Sequence, residues 1–181
     1  ERGLTDLTRA FAAAAERAVR LGLDVVELHC AHGYLLHEFL SPLTNQRTDG
    51  YGGSLAARMR FPLEVFEAMR EAMRAAMPAD RPLGVRISAT DWLEGGWSID
   101  DSVVFSHALK ARGCDFIDTS TGGLSPAQQL EPKPGFQVPF AARIKREVGI
   151  PTIAVGLITD AVHANAVIAE GQAELVALAR G

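Results

Sequence analysis

Apolar residues recur along this chain at two periods, and the two alternate. Leu7, Phe11, Ala14, Ala18 and Leu21 fall at helical spacing, with Gly22 as the stop. The run Val25-Val26-Glu27-Leu28 reads as a short buried parallel strand. Ser54 is placed to cap a second helix whose apolar stripe is Met59, Leu63, Phe66, Met69 and Met73. Pro62 lies inside that stripe and predicts a kink or a break, and Pro78 ends the segment. Residues 83–88 form a second strand. Ser98 caps a helix reaching to about Arg112, and Gly113 closes it. Residues 116–120 are a third strand. Pro139 suits the first turn of a helix with Phe140, Ile144 and Val148 inward. Residues 151–156 are a fourth strand, Thr159 or Asp160 starts a helix ending near Gly171, and residues 174–180 are a fifth strand.

This strand–helix alternation with short apolar strands predicts an α/β fold, a parallel sheet covered by helices. The sheet is either open and doubly wound or part of a (β/α)8 TIM barrel. A full barrel takes about 250 residues. This chain has 181, starts on a helix and carries five strands. It reads as one domain, residues 1–181, the carboxyl-terminal five-eighths of a barrel, about strands four to eight, cut at both ends. Such an arc leaves two unpaired parallel edges.

Composition narrows the function classes. A net charge of −4 gives no general attraction to nucleic acid or acidic lipid. No apolar run approaches the roughly 20 residues of a membrane span, and Glu1-Arg2-Gly3 does not open a signal peptide. Cys30 and Cys114 lie far apart with no C-x-x-C, which fits a reducing cytoplasm and argues against a disulfide scaffold or a zinc ribbon.

The chemistry concentrates after the first strand. His29 and His32 lie three residues apart, followed by Tyr34, at the carboxyl end of a strand where α/β sites sit. Two N–H groups aimed at one carbonyl oxygen polarise it and stabilise an enolate forming there. The bland alternative is two histidines capping loop carbonyls. An ordinary phenol, pKa about 10, keeps its proton at neutral pH, so Tyr34 is a candidate general acid or an aromatic pocket wall. The polar, Gly-rich loop 41–53 is long for a βα connection and is either a lid or a brace. Arg86 stands inside an apolar strand, where a guanidinium requires an anion, an electron-rich ring or a structural carboxylate partner. The consecutive strand ends Val155-Gly156 and Ala179-Arg180 match the order of the common barrel phosphate site.

These residues together resemble a known family. The stretch from His29-Cys30-Ala31-His32-Gly33-Tyr34 through Ser41-Pro42 is similar to the Old Yellow Enzyme family of FMN-dependent ene-reductases, in its bacterial, thermophilic-type branch. So are Asn45-Gln46-Arg47-Thr48-Asp49, Tyr51-Gly52-Gly53-Ser54 and Arg86-Ile87-Ser88-Ala89. Gly135-Phe136-Gln137-Val138-Pro139-Phe140-Ala141 and Ala154-Val155-Gly156-Leu157-Ile158-Thr159 extend the likeness over essentially the whole chain.

The resemblance implies an FMN-binding TIM barrel that takes hydride from NAD(P)H and passes it from flavin N5 to the β-carbon of an enone or enal. His29 and His32 would hold the substrate oxygen and Tyr34 would protonate the α-carbon. Arg86 would sit against the flavin, and Gly156, Ala179 and Arg180 would hold its phosphate. It further implies a small-molecule substrate, no nucleic-acid or membrane partner, no metal and a homo-oligomeric intact enzyme. The sequence departs from the family at Ala56-Ala57, Gly50 and Gly181, and the first three strands are absent. Two alternatives remain: a truncated barrel fragment without flavin binding or activity, and a zinc-dependent barrel hydrolase using His29, His32 and a carboxylate such as Asp118, with Glu27 on the strand face of His29.

Overall fold

Five short strands pair in the order in which the chain makes them, each parallel to the next. The computed structural model describes residues 2–76 and 81–179. The elements are α1 (Arg2–Arg20), β1 (Val26–Cys30), α2 (Leu35–Leu40), α3 (Leu55–Ala76), β2 (Leu83–Ser88), α4 (Ile99–Lys110), β3 (Ile117–Ser120), α5 (Val138–Val148), β4 (Thr152–Ala154), α6 (Ala161–Ala169) and β5 (Leu175–Val176). A doubly wound sheet reverses its strand order at a switch point, whereas a barrel never does. The unreversed order makes this an arc of a (β/α)8 barrel with its helices outside.

Register decides what each face of the arc carries. Leu28 pairs with Val85 and Cys30 with Ile87, and Val85 pairs with Ile117. All five are buried against the helices. The alternate positions put Glu27 beside Gly84, His29 beside Arg86 and Arg86 beside Asp118 on the concave face. Arg70 of α3 ties the amino ends of β2 and β3 together, donating to the carbonyls of Arg81 and Gly113 and to the Asp115 carboxylate. A smaller apolar cluster of Val138, Ala141, Ala154, Ile158, Val167 and Ala173 closes the far end under α5 and α6.

Local signals act where they were expected in four places. Ser54 accepts a hydrogen bond from the Ala57 amide. Ser98 and Asp101 form a reciprocal capping box, Pro139 lies in the first turn of α5, and Asp160 accepts from the His163 amide at the start of α6. The five-residue stripe of α3 is buried throughout.

Other expectations need correction. α1 buries Ala15 and Val19, with Leu4 and Phe11 against the core, while Leu7 and Leu21 are exposed. The alanine run 12–15 makes neighbouring helix faces equally apolar, so spacing alone does not select one. Pro62 does not break α3, which runs on through it: Phe61, Pro62 and Leu63 are all buried, and packing offsets the lost backbone bond. Pro78 lies outside the described residues. β1 begins and ends later than expected, so His29 is inside the strand rather than after it. α2 went unpredicted, since its six residues are too few to show a period. β5 has two residues, Leu175 paired with Ile153 and Val176 with Ala154, rather than the run 174–180; the Glu174 amide donates to the Thr152 carbonyl and the Ala177 amide to the Ala154 carbonyl beside them.

Candidate functional site

The concave face of β1–β3 is polar. Arg86 Nη1 donates to Asp118 Oδ2 at 2.8 Å. Arg86 Nε and Asp118 Oδ1 are buried without a hydrogen-bond partner. Burial raises the Asp118 carboxyl above its ordinary range, opposed by the charge and hydrogen bond of Arg86. Glu27 is pushed up to about 7, first by loss of hydration and then by Asp118, against the pull of Arg86. The structural ion pair considered for Arg86 is therefore present, and the guanidinium still has an unused buried donor.

His29 ends this row, and the chain then turns sharply. His32 has φ 59° and Gly33 φ 74°, two successive left-handed residues. The turn is packed against a second glycine turn that follows β3: a Cβ on Gly33 would lie 2.6 Å from the Gly123 carbonyl oxygen, and one on Gly123 would lie 2.7 Å from His32 Cα. The His32 amide donates to Ser88 Oγ at 3.0 Å, and Ser88 Oγ donates to the Gly122 carbonyl at 2.8 Å. These contacts bring three rings together. His29 lies 5.3 Å from His32 and 5.4 Å from Tyr34 between centroids. Tyr34 is 66% exposed and lies edge-on beside His29.

Both imidazoles are held neutral. Burial, then the positive charge of Arg86, then His29 and His37 lower His32 to about 4. Burial and Arg86 lower His29 in the same direction. A neutral imidazole carries one N–H donor. His32 Nε2 lies 2.7 Å from Ser120 Oγ, whose single proton also has Gln137 Oε1 as an acceptor at 3.3 Å; His32 has a free donor at Nδ1 in the tautomer in which Ser120 donates to Nε2.

Ser120 also lines a cleft of about 400 Å³ with Arg86, Gln137, Gly156, Ala177 and Ala179. Gly156 has φ 118°, and a Cβ there would lie 2.9 Å from Gln137 Nε2. Its carbonyl accepts the Gly135 amide at 2.8 Å. Arg86, Gly156 and Ala179 thus share one cleft, joined to His32 through Ser120. Arg180 lies outside the described residues.

Loop 41–53 is a brace rather than a wall of this cleft. Asn45 Nδ2 donates to the carbonyls of Phe39 and Tyr51, Arg47 pairs with Asp49 and lies over the Phe39 and Tyr51 rings, and Tyr51 donates to Glu64 of α3. Among the described residues no group of three His, Cys, Asp or Glu side chains is arranged to hold a metal ion, so the zinc alternative has no ligand set. Among them, too, no helix is long and apolar enough to cross a membrane.

Among the residues of the site that carried no role in the sequence reading are Gln137, His37 and Asp91, besides Ser88 and Ser120. Gln137 is buried and accepts from Thr121 Oγ1 at 2.6 Å. A glutamine just ahead of a helix-starting proline was its only local mark. His37 and Asp91 are wholly buried and bonded to each other at 2.8 Å across 54 residues of sequence. No spacing rule reaches that far.

Residues 1–181 match the NADH:flavin oxidoreductase / NADH oxidase family. An NADPH dehydrogenase of Geobacillus thermodenitrificans (strain NG80-2) is 48% identical over 172 residues, 95% of this chain and 48% of that protein. The fold is similar to that of a 2-naphthoyl-CoA reductase (TM-score 0.86, 28% identity, 96% of this chain and 26% of that one). It is also similar to morphinone reductase (TM-score 0.76, 29% identity, 98% and 45%). The chain spans about half the length of the curated relatives it matches.

Proposed function

Because the chain belongs to the NADH:flavin oxidoreductase / NADH oxidase family, the Old Yellow Enzyme family of the sequence resemblance, we propose that it is the carboxyl-terminal five-eighths of an FMN-dependent, NAD(P)H-oxidising barrel that reduces activated C=C bonds of enones or enals. The observation that carries this is the convergence of His29, His32 and Tyr34 beside a cleft that also contains Arg86 and Gly156.

The cleft suits a flavin nucleotide on its own chemistry. Its lining includes a guanidinium with an unused buried nitrogen and a glycine at φ 118°, where a Cβ would press on Gln137. Arg86 would face the ring system, and Gly156 and Ala179, with Arg180, would hold the phosphate. Bound FMN would supply the hydride chemistry that no side chain here can.

The chain's own residues do the rest. His29 and His32, neutral at pH 7, donate to the carbonyl oxygen of the substrate and stabilise the negative charge that grows there. Tyr34 gives its proton to the α-carbon, a step worth roughly 10²–10⁴-fold for a positioned general acid. Asp118 keeps Arg86 extended toward the cleft. The free, buried Cys30 and Cys114 are the support for a reducing, cytoplasmic setting.

A flavin titration tests the division of labour. The chain alone, whose concave face leaves Glu27 and His29 partly exposed, binds FMN weakly or not at all. The same chain with three preceding strands restored binds it stoichiometrically. Tight binding by the chain alone overturns the proposal that it is five-eighths of the site. No binding by the restored barrel overturns the flavin assignment.

A further inference from the structure

The left-handed His32–Gly33 turn is what brings His32 to Ser120, and one buried side chain holds it from behind. His37, the third residue of α2, turns its ring back along the helix, and the Gly33 amide donates to His37 Nδ1 at 2.9 Å. Tyr34, at the cap position of α2, contributes no side-chain cap. A nitrogen that accepts carries no proton, so the ring proton lies on Nε2. That N–H points at Asp91 Oδ1, 2.8 Å away. Asp91 is fixed in turn: its Oδ2 accepts from Ser41 Oγ at 2.6 Å and from the Trp97 amide at 2.7 Å. His37 and Asp91 are both wholly inaccessible to solvent, so the ring has no exit to a solvated position.

We propose that His37 is a positioning residue, whose Nδ1 lone pair clamps the Gly33 amide and so fixes the turn that carries His32 to the cleft. Asp91 sets the tautomer that makes this possible, as a carboxylate orients an imidazole in many sites. His37 touches no substrate. The proposal rests on the functional reading above only in taking His32 as a substrate-binding group.

Two substitutions separate the clamp from simple filling of the core. In His37→Asn the amide oxygen stands near the place of Nδ1 and can accept from Gly33, but it cannot reach Asp91. In His37→Gln the amide nitrogen stands near the place of Nε2 and can donate to Asp91, but nothing accepts from Gly33. Amide exchange and imidazole 15N shifts are read on the isotope-labelled chain, without flavin. His37→Asn keeps the protection of the Gly33 amide within about threefold and leaves the His32 ring signals in place. His37→Gln loses about tenfold of that protection, the scale of one hydrogen bond, and shifts both His32 nitrogens. A role limited to satisfying Asp91 gives the reverse order, and equal loss in both variants points to core disruption alone. Either result overturns the proposal.

The wild-type chain gives a direct check if neither variant folds. His37 Nδ1 should resonate as an unprotonated acceptor coupled to the Gly33 N–H, and a proton on Nδ1 would refute the clamp. In the restored, flavin-loaded barrel, His37→Gln raises KM for an enone about tenfold and leaves flavin reduction by NADPH unchanged. Failure of the wild-type barrel to take up flavin would count against the functional reading and leave the exchange result standing.

Discussion

The two faces of the β1–β3 arc are built from alternate residues of the same strands, yet they obey opposite rules. The convex face is Leu28, Cys30, Val85, Ile87 and Ile117, dry and matched to helices. The concave face is Glu27, His29, Arg86 and Asp118, charged or ionisable and only partly paired. Apolar burial stabilises the first without specifying any chemistry. The second carries imperfectly satisfied polar groups, which stability alone would not select. A one-residue shift in register would exchange the two faces, so the convex face is what aims the concave one.

Residues on opposite faces of the neighbouring strands β2 and β3 give the largest test of that contrast. Ile87→Ala, on the convex side, should lower unfolding free energy by about 2–5 kcal/mol, read by urea denaturation. Asp118→Asn, on the concave side, should lower it by about 1–2 kcal/mol, because it strands Arg86, whose side chain is 27% exposed and partly hydrated. Comparable losses from the two would erase the distinction.

Acidity gives a finer test, with two residues of opposite sign. The folded chain holds His32 near 4, below the ordinary histidine value of 6.5. As pH falls from 6.5 to 4 the unfolded chain takes up that proton first, so stability drops across this window, and His32→Gln should remove the drop. The folded chain holds Glu27 near 7, above its ordinary 4.5. As pH rises from 4.5 to 7 the unfolded chain loses that proton first, so stability drops in the other direction, and Glu27→Gln should flatten the fall. Stability curves of the two variants should therefore tilt in opposite senses relative to the parent. Glu27 is partly exposed, so its effect is the smallest of the four.

The same contrast explains how much the chain's sequence disclosed. Residues 83–88 were legible as a strand because Leu83, Val85 and Ile87 recur at every second position between Gly84, Arg86 and Ser88. The Ser98 and Asp160 caps were legible because capping acts within three residues. The buried face of α1 was not, since an alanine run hides which side meets α3. The ends of β5 were not, since ladder length depends on what β4 offers across the sheet. At the site, His29, His32 and Tyr34 stood out through spacing and residue type. Their supports, Ser88, Ser120, Gln137 and the His37–Asp91 pair, act across long separations and are ordinary residues until the fold joins them.

The central claim is that the two imidazoles and the phenol act on one substrate at the mouth of the Arg86–Gly156 cleft. Rapid-mixing kinetics of Tyr34→Phe in the restored, flavin-loaded barrel tests it most directly. Oxidation by an enone should slow by about a hundredfold or more, while reduction by NADPH proceeds at the parent rate. An equal fall in both half-reactions would contradict the account.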